Sequence, residues 1–198
     1  MKLRSVYHTG EGEKLLSVGR WIIGWTWILA AFYNWKAFKY NFSHEELWEP
    51  RQDFKISKGE CDSIFYDYDD LLKQTVPVGQ CFSSTTRGDA NGVRYAPASE
   101  VLKHPERWRY IEFEVDNEMW AVVKKDMNKK VGNKYDFVAV TTGFITPIMI
   151  DPEDKNYCSE ICCWVKFLLY VLNRWWKRVS PRRSAMLLVP HWGEPKTI

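Results

Sequence analysis

At 198 residues the chain is the size of one domain, long enough to bury a single core and short for two. Hydrophobic residues at 45% and charged residues at 27% exclude a disordered composition, and a net charge of +3 gives no global field for nucleic acid. Five cysteines, an odd number without a Cys-x-x-Cys pair, argue against a disulfide framework or zinc site and for a reducing compartment; no metal and no cofactor is expected.

The opening "MKLRSVYHTGEGEK" has no small-residue cleavage site, so a secretory signal is not expected and the protein should begin near Met1. His8 lies there, in a segment expected to fray. The uncharged run Trp21–Trp35 reads as a buried or half-buried helix. At 1.5 Å per residue it reaches about 22 Å, short of the roughly 30 Å of a hydrocarbon core, which leaves membrane contact as the less favoured reading. With 11 tryptophans and 16% aromatic residues, the chain should build an aromatic core or a groove suited to an apolar ligand.

From Tyr40, "YNFSHEELWEP" alternates and stops at Pro50, as a strand would, placing His44 and Glu46 on one face. "ECDSIFYDYDDLLKQ", within about 51–78, reads as an insertion of loop and short helix. "GQCFSSTTRGDANGVRYAP" has the form of a hairpin, "WRYIEFEVD" of a strand, and "NEMWAVVKKDMNKKVG" of a helix stopped by Gly132. "NKYDFVAV" should lead into a buried strand. "YCSEICCWVKFLLYVLNRWWKR" should form one long amphipathic helix ended by Ser180 and Pro181, with "AMLLVP" as a closing strand. Arg174, Lys177, Arg178, Arg182 and Arg183 near Trp175 and Trp176 read as cations at a helix end more readily than as an RNA or anionic-lipid site. The order of elements predicts one α+β domain with a core of about 14–190.

Cys158 falls at the first turn of the long helix, where unpaired amides and the dipole favour a thiolate. Two readings stay open from position alone: an activated nucleophile, or a small buried core residue, as Cys162 and Cys163 are expected to be. A nucleophilic thiol needs a base. Of the four histidines, His104 precedes Pro105 in a charged loop, His191 lies in the tail, and His44 alone falls in an expected strand, as base or as structural hydrogen-bonding residue. Glu46 is the nearest group to orient it.

The segments "FSHEELW", "CFSSTTRGDANGVRY", "NKYDFVAV" and "YCSE", in that order, resemble the motif string of circularly permuted papain-like, NlpC-type proteins, a group with many bacteriophage members and poxvirus and bacterial relatives. The resemblance covers about 41–165. It implies a papain-like α+β fold, permuted so that the histidine strand precedes the nucleophile helix, with a small antiparallel sheet or barrel packed on that helix. It implies Cys158 as nucleophile, His44 as base and Glu46 as third member, in a cysteine peptidase-like or amidase-like hydrolase, or an acyltransferase, acting on a peptide amide or lipid ester. Ser159, Tyr135 and Asp136 would support the site, with Ser159 or Cys158 N–H facing an oxyanion and Glu160 capping the helix. Arg94, Ser83 and Ser84 would lie at a substrate edge, Arg94 having a surface salt bridge as its competing role. A host macromolecule as partner and a cytoplasmic location, the host cytoplasm for a phage or viral protein, follow from the same resemblance. A non-catalytic binding protein or virion component on the same fold, and a membrane-associated lipid acyltransferase, are the rival readings. The chain departs from the pattern in its longer "RGDANGVRY" turn and in the 51–78 insertion.

Overall fold

The computed structural model describes residues 1–9, 40, 42–51, 64–69, 74–86, 90–142, 154–172 and 179–198. The expected Trp21–Trp35 helix lies outside them, as do Arg174, Lys177 and Arg178. The architecture is α+β. β1 (Lys2–Thr9), β2 (Phe42–Glu49), β5 (Gln80–Thr85), β6 (Gly92–Pro97), β7 (Trp108–Glu114) and β10 (Lys196–Thr197) form a six-stranded antiparallel sheet in the order β10-β7-β1-β2-β5-β6. β3 (Tyr66–Asp69) and β4 (Gln74–Pro77) make a separate hairpin, while β8 (Lys134–Tyr135) and β9 (Lys155–Asn156) pair in parallel. The helices are α1 (Ala98–Val101), α2 (Asn117–Lys130), α3 (Phe137–Thr142), α4 (Cys158–Leu168) and α5 (Pro181–Trp192).

The sheet is covered on both faces, and strand alternation divides its residues between two cores. Leu3, Leu47, Phe82 and Phe113 pack against Ile161, Cys162 and Val165 of α4 and Trp120, Val123 and Met127 of α2. Tyr7 and Ile111, on that same face, meet Cys163 of α4 and Ala185 and Leu188 of α5. The opposite face carries Val6, Trp48, Cys81 and Trp108 against Phe65, Ala98 and Leu102. Arg4 is buried there, its guanidinium 3.8 Å from the Phe65 ring centre and 4.2 Å from that of Tyr110, with Nε donating to Glu112 at 3.0 Å. These contacts pin the segment before the β3–β4 hairpin to the sheet.

Several expectations are corrected. The segment around His8 is not a fraying end but β1, paired on both sides; this strand and β10 lie outside the 14–190 span. The described part of the 51–78 insertion contains a hairpin and no helix. "NKYDFVAV" leads into the short helix α3 instead of a buried strand, with Phe137 and Val138 56% and 44% exposed, because Asp136 Oδ1 accepts from Ala139 N at 2.9 Å and caps a helical turn. "AMLLVP" belongs to α5: Ser180 is its N-cap, accepting from Arg183 N at 3.3 Å, and Pro181 occupies the first turn, where its missing N–H costs nothing. Arg182 and Arg183 therefore stand at a helix N-terminus, the end that disfavours cations, and not at a C-terminal end.

The long helix is also shorter than expected. α4 ends at Leu168, where Tyr170 N donates to Phe167 O at 3.0 Å and Val171 N to Lys166 O at 2.9 Å. These are the paired bonds of a Schellman motif, with Tyr170 at φ +55° in the position usually given to glycine.

Candidate active site

β2 carries the histidine strand, and two irregularities prepare it. Opposite β1 the register runs His8 to His44 and then Thr9 to Phe42, so Ser43 is an extra, bulged residue directly before His44. Ser43 Oγ donates to His8 O at 3.2 Å and lies 3.2 Å from His8 Nδ1, which holds the bulge in place. On the other side, the β2–β5 ladder covers only Leu47–Phe82, Trp48–Cys81 and Glu49–Gln80, so the strands are unpaired beside Glu45 and Glu46. Side chains take up the backbone groups there: Ser83 Oγ donates to Glu45 O at 2.6 Å, and Cys162 Sγ lies 3.7 Å from Glu45 O and 3.8 Å from Phe82 O. The first turns of α4 fill this opening.

Cys158 is the first residue of α4, after the N-cap Tyr157. Glu160 Oε2 accepts from Tyr157 N at 3.4 Å, fulfilling the expected capping role. Both backbone groups of Val179 are held by the neighbours of Cys158: its N–H donates to Tyr157 Oη at 2.9 Å, and its carbonyl accepts from Ser159 Oγ. The start of the helix is thereby clamped from above. Below it, Ser84 Oγ donates to Asn156 O at 2.6 Å and Asn133 Nδ2 to Asn156 Oδ1 at 3.0 Å, while Tyr135 pairs with Asn156 in the β8–β9 ladder.

The structure brings Cys158, His44 and Glu46 together; they are 4%, 7% and 5% exposed. His44 Nε2 lies 2.7 Å from Glu46 Oε1, and the Cys158 side chain is close enough to the same imidazole to perturb its titration. With Nε2 on the carboxylate, Nδ1 is the nitrogen left for the thiol. Burial alone would push the imidazole toward neutrality. The Cys158 and Glu46 side chains beside it outweigh burial and raise the His44 pKa to about 10. Trp108 packs edge-on to His44 at 6.4 Å and to His8 at 5.1 Å, forming an apolar wall beside the ring. Among the other described cysteines, burial raises the thiols of Cys81 and Cys162 well above the usual range, and pushes that of Cys163 up to about 12.

The expected supporting residues are close by but occupied internally. Tyr135 and Asp136 are architectural, bracing Asn156 and capping α3. Ser83 and Ser84 are buried and donate to the main-chain carbonyls of Glu45 and Asn156. Arg94 pairs loosely with exposed Glu100, at 3.6 Å. His104 and His191 are exposed and lie on other elements, His104 at the turn before β7 and His191 in the last turn of α5.

Sequence reasoning missed the charge cluster behind the site. Glu45, between His44 and Glu46, points to the other face of β2 and meets Lys166 of α4, both 0% exposed. Ser5 and Ser184 donate to Glu45 Oε1 at 2.6 and 2.9 Å. The available signal was Lys166 itself, a charge eight positions after Cys158 on the otherwise apolar stripe of the helix. Among the described residues there is no group of side chains suited to a metal ion and no helix long and apolar enough to cross a membrane. No family model, no curated protein and no solved structure matches the chain.

Proposed function

We propose that the protein is a cysteine hydrolase or acyltransferase on a permuted papain-like fold, with Cys158 as nucleophile, His44 as acid and base, and Glu46 as the group that orients His44. The observation that carries this reading is the clustering of Cys158, His44 and Glu46, in which the first residue of a helix meets a buried imidazole held by a carboxylate at 2.7 Å. The chain order supports the permuted assignment, because the strand bearing His44 precedes the helix that opens with Cys158.

In this mechanism the Cys158 thiolate attacks the carbonyl carbon of an amide or ester, forming the C–S bond. The oxyanion is held by main-chain N–H groups at Cys158 and Ser159, which as the first residues of α4 have no acceptor within the helix. The C–N or C–O bond then breaks as the His44 proton passes to the leaving group. His44, now neutral, takes a proton from water or from an acceptor amine or alcohol, whose attack on the thioester releases the acyl group and returns the thiolate. Peptide amides and lipid esters both present the carbonyl this step requires.

Iodoacetamide labelling tests the reading. Cys158 should react at mildly acidic pH faster than the other four cysteines, and His44→Ala should abolish that preference. Equal reactivity of all five thiols would instead support a binding protein without turnover.

A further inference from the structure

We propose that the buried Lys166–Glu45 pair is a positioning device for the reaction above, fixing α4 on β2 at the setting in which Cys158 meets His44; the inference rests on that functional reading. α4 touches β2 at three successive levels along one stripe of the helix. Cys158 meets His44, Cys162 Sγ lies 3.7 Å from Glu45 O, and Lys166 Nζ donates to Glu45 Oε1. His44 and Glu45 are consecutive residues of an extended strand, on opposite faces, joined by one stiff peptide, as Cys158 and Lys166 are joined by one helix. Any slide or rotation of the helix at Lys166 therefore changes the height of Cys158 against the imidazole.

The remaining α4–sheet contacts are apolar: Ile161 and Val165 against Leu47 and Phe82. Such packing is non-directional and accepts small displacements. The charge pair is directional, and three donors converge on Glu45 Oε1, while Oε2 is buried without a hydrogen-bond partner. Ser5 of β1 and Ser184 of α5 each touch both charges: Ser184 Oγ accepts from Lys166 Nζ at 2.5 Å and donates to Glu45 at 2.9 Å, while Ser5 lies 3.3 Å from Nζ and donates to Glu45 at 2.6 Å. Burial opposes the ammonium, but Glu45 outweighs it, and Tyr7, Cys163 and Cys162 are the other titratable groups around it. A buried ion pair contributes little net stability compared with apolar side chains of similar size; its attested use is to specify one arrangement. Here that arrangement is the helix setting, one strand residue away from the imidazole.

The test compares the parent protein with the double variant Glu45→Gln/Lys166→Met, which keeps the volume and leaves an acceptor at position 45 for Ser5 and Ser184, but removes both charges and the bonds that Lys166 Nζ gives to the two serines. Iodoacetamide modification of Cys158 is followed against pH by mass mapping, with thermal unfolding measured in parallel. The inference expects a folded double variant whose rate at pH 6 falls about tenfold, with the rate–pH midpoint moved up by about one unit. A folded double variant with an unchanged profile overturns it. If the double variant does not fold, Ser184→Ala decides: a rate at pH 6 lowered about threefold supports positioning, and an unaltered profile removes it. A parent protein without preferential Cys158 labelling at acidic pH sinks the proposed reaction and this inference together, whereas a reactive parent with an equally reactive variant sinks only the inference.

Discussion

Glu46 Oε1 and His44 Nε2 lie 2.7 Å apart, two positions along one strand and buried on one face of it. The carboxylate fixes which nitrogen faces the thiol, and the strand fixes the distance. The pair is local in sequence, so its geometry depends only on β2 being extended past the Ser43 bulge.

The protonation state of His44 is the first expected outcome. Its folded value, about 10, lies above the unfolded 6.5. Taken alone, its proton therefore contributes a stabilisation that is complete below about pH 6.5 and is lost as pH rises toward 10. Ring NMR should show His44 as an imidazolium throughout neutral pH. In Cys158→Ser the sulfur's charge is gone and burial gains weight, so the midpoint should fall. Midpoints near 6.5 in both proteins would remove the thiolate–imidazolium pair from the account.

Glu46→Gln should leave His44 free to turn and weaken its protonated form, lowering Cys158 alkylation at pH 6 by about tenfold or more; loss of a ring-orienting carboxylate costs up to ~10⁴ in serine protease catalysis. Glu49 provides the control. It lies at the far end of the same strand, with Lys124 Nζ at 2.8 Å and Trp120 Nε1 at 3.0 Å. Glu49→Gln should lower the urea midpoint without changing the alkylation profile.

Gly92→Ala should be strongly destabilising. Gly92 has φ +132°, and a Cβ there would stand 1.9 Å from Asn133 O, the atom that accepts from Val93 N at 2.8 Å. The clash would push β6 away from the segment that braces Asn156 through Asn133. A loss of at least about 2 kcal/mol is expected in urea unfolding, combining conformational strain with a backbone collision. Gly132→Ala isolates the first component. Its φ is +93°, but a Cβ there would meet nothing within 4 Å, so about 1 kcal/mol should be lost. Equal losses at the two glycines would mean that the close approach at Gly92 is not real.

The site was more legible in the sequence than the frame around it. Alternation places His44 and Glu46 on one face, and the amphipathic run places Cys158 at a helix start, but each keeps a structural alternative, and it is the resemblance of the four motifs that singles the three out. β1 was obscured because both of its faces are buried: Arg4 and Ser5 occupy interior positions that alternation assigns to solvent. α5 is obscured because "AMLLVP" is too short for its period to distinguish helix from strand, and because Ser-Pro serves equally as the stop of one helix and the start of the next. Glu45 and Lys166 could not be paired from sequence, since they are 121 residues apart and meet only when α4 docks on β2.

The end of α4 was hidden for a related reason. "FLLYVL" continues the apolar pattern without glycine or proline, yet the chain leaves the helix at Tyr170, which adopts φ +55° and is 81% exposed. A tyrosine in this conformation bears a steric cost of roughly 1 kcal/mol that glycine does not. The two Schellman bonds use main-chain atoms only, so they survive substitution. Tyr170→Gly should therefore raise stability by up to about 0.5 kcal/mol in urea unfolding, the relief of strain exceeding glycine's greater unfolded-state entropy. Tyr170→Ala keeps the strain and should bring no gain. A stabilised alanine variant, or a destabilised glycine variant, would show that α4 continues through Tyr170 as its apolar pattern suggests, and that the left-handed turn is not where the helix ends.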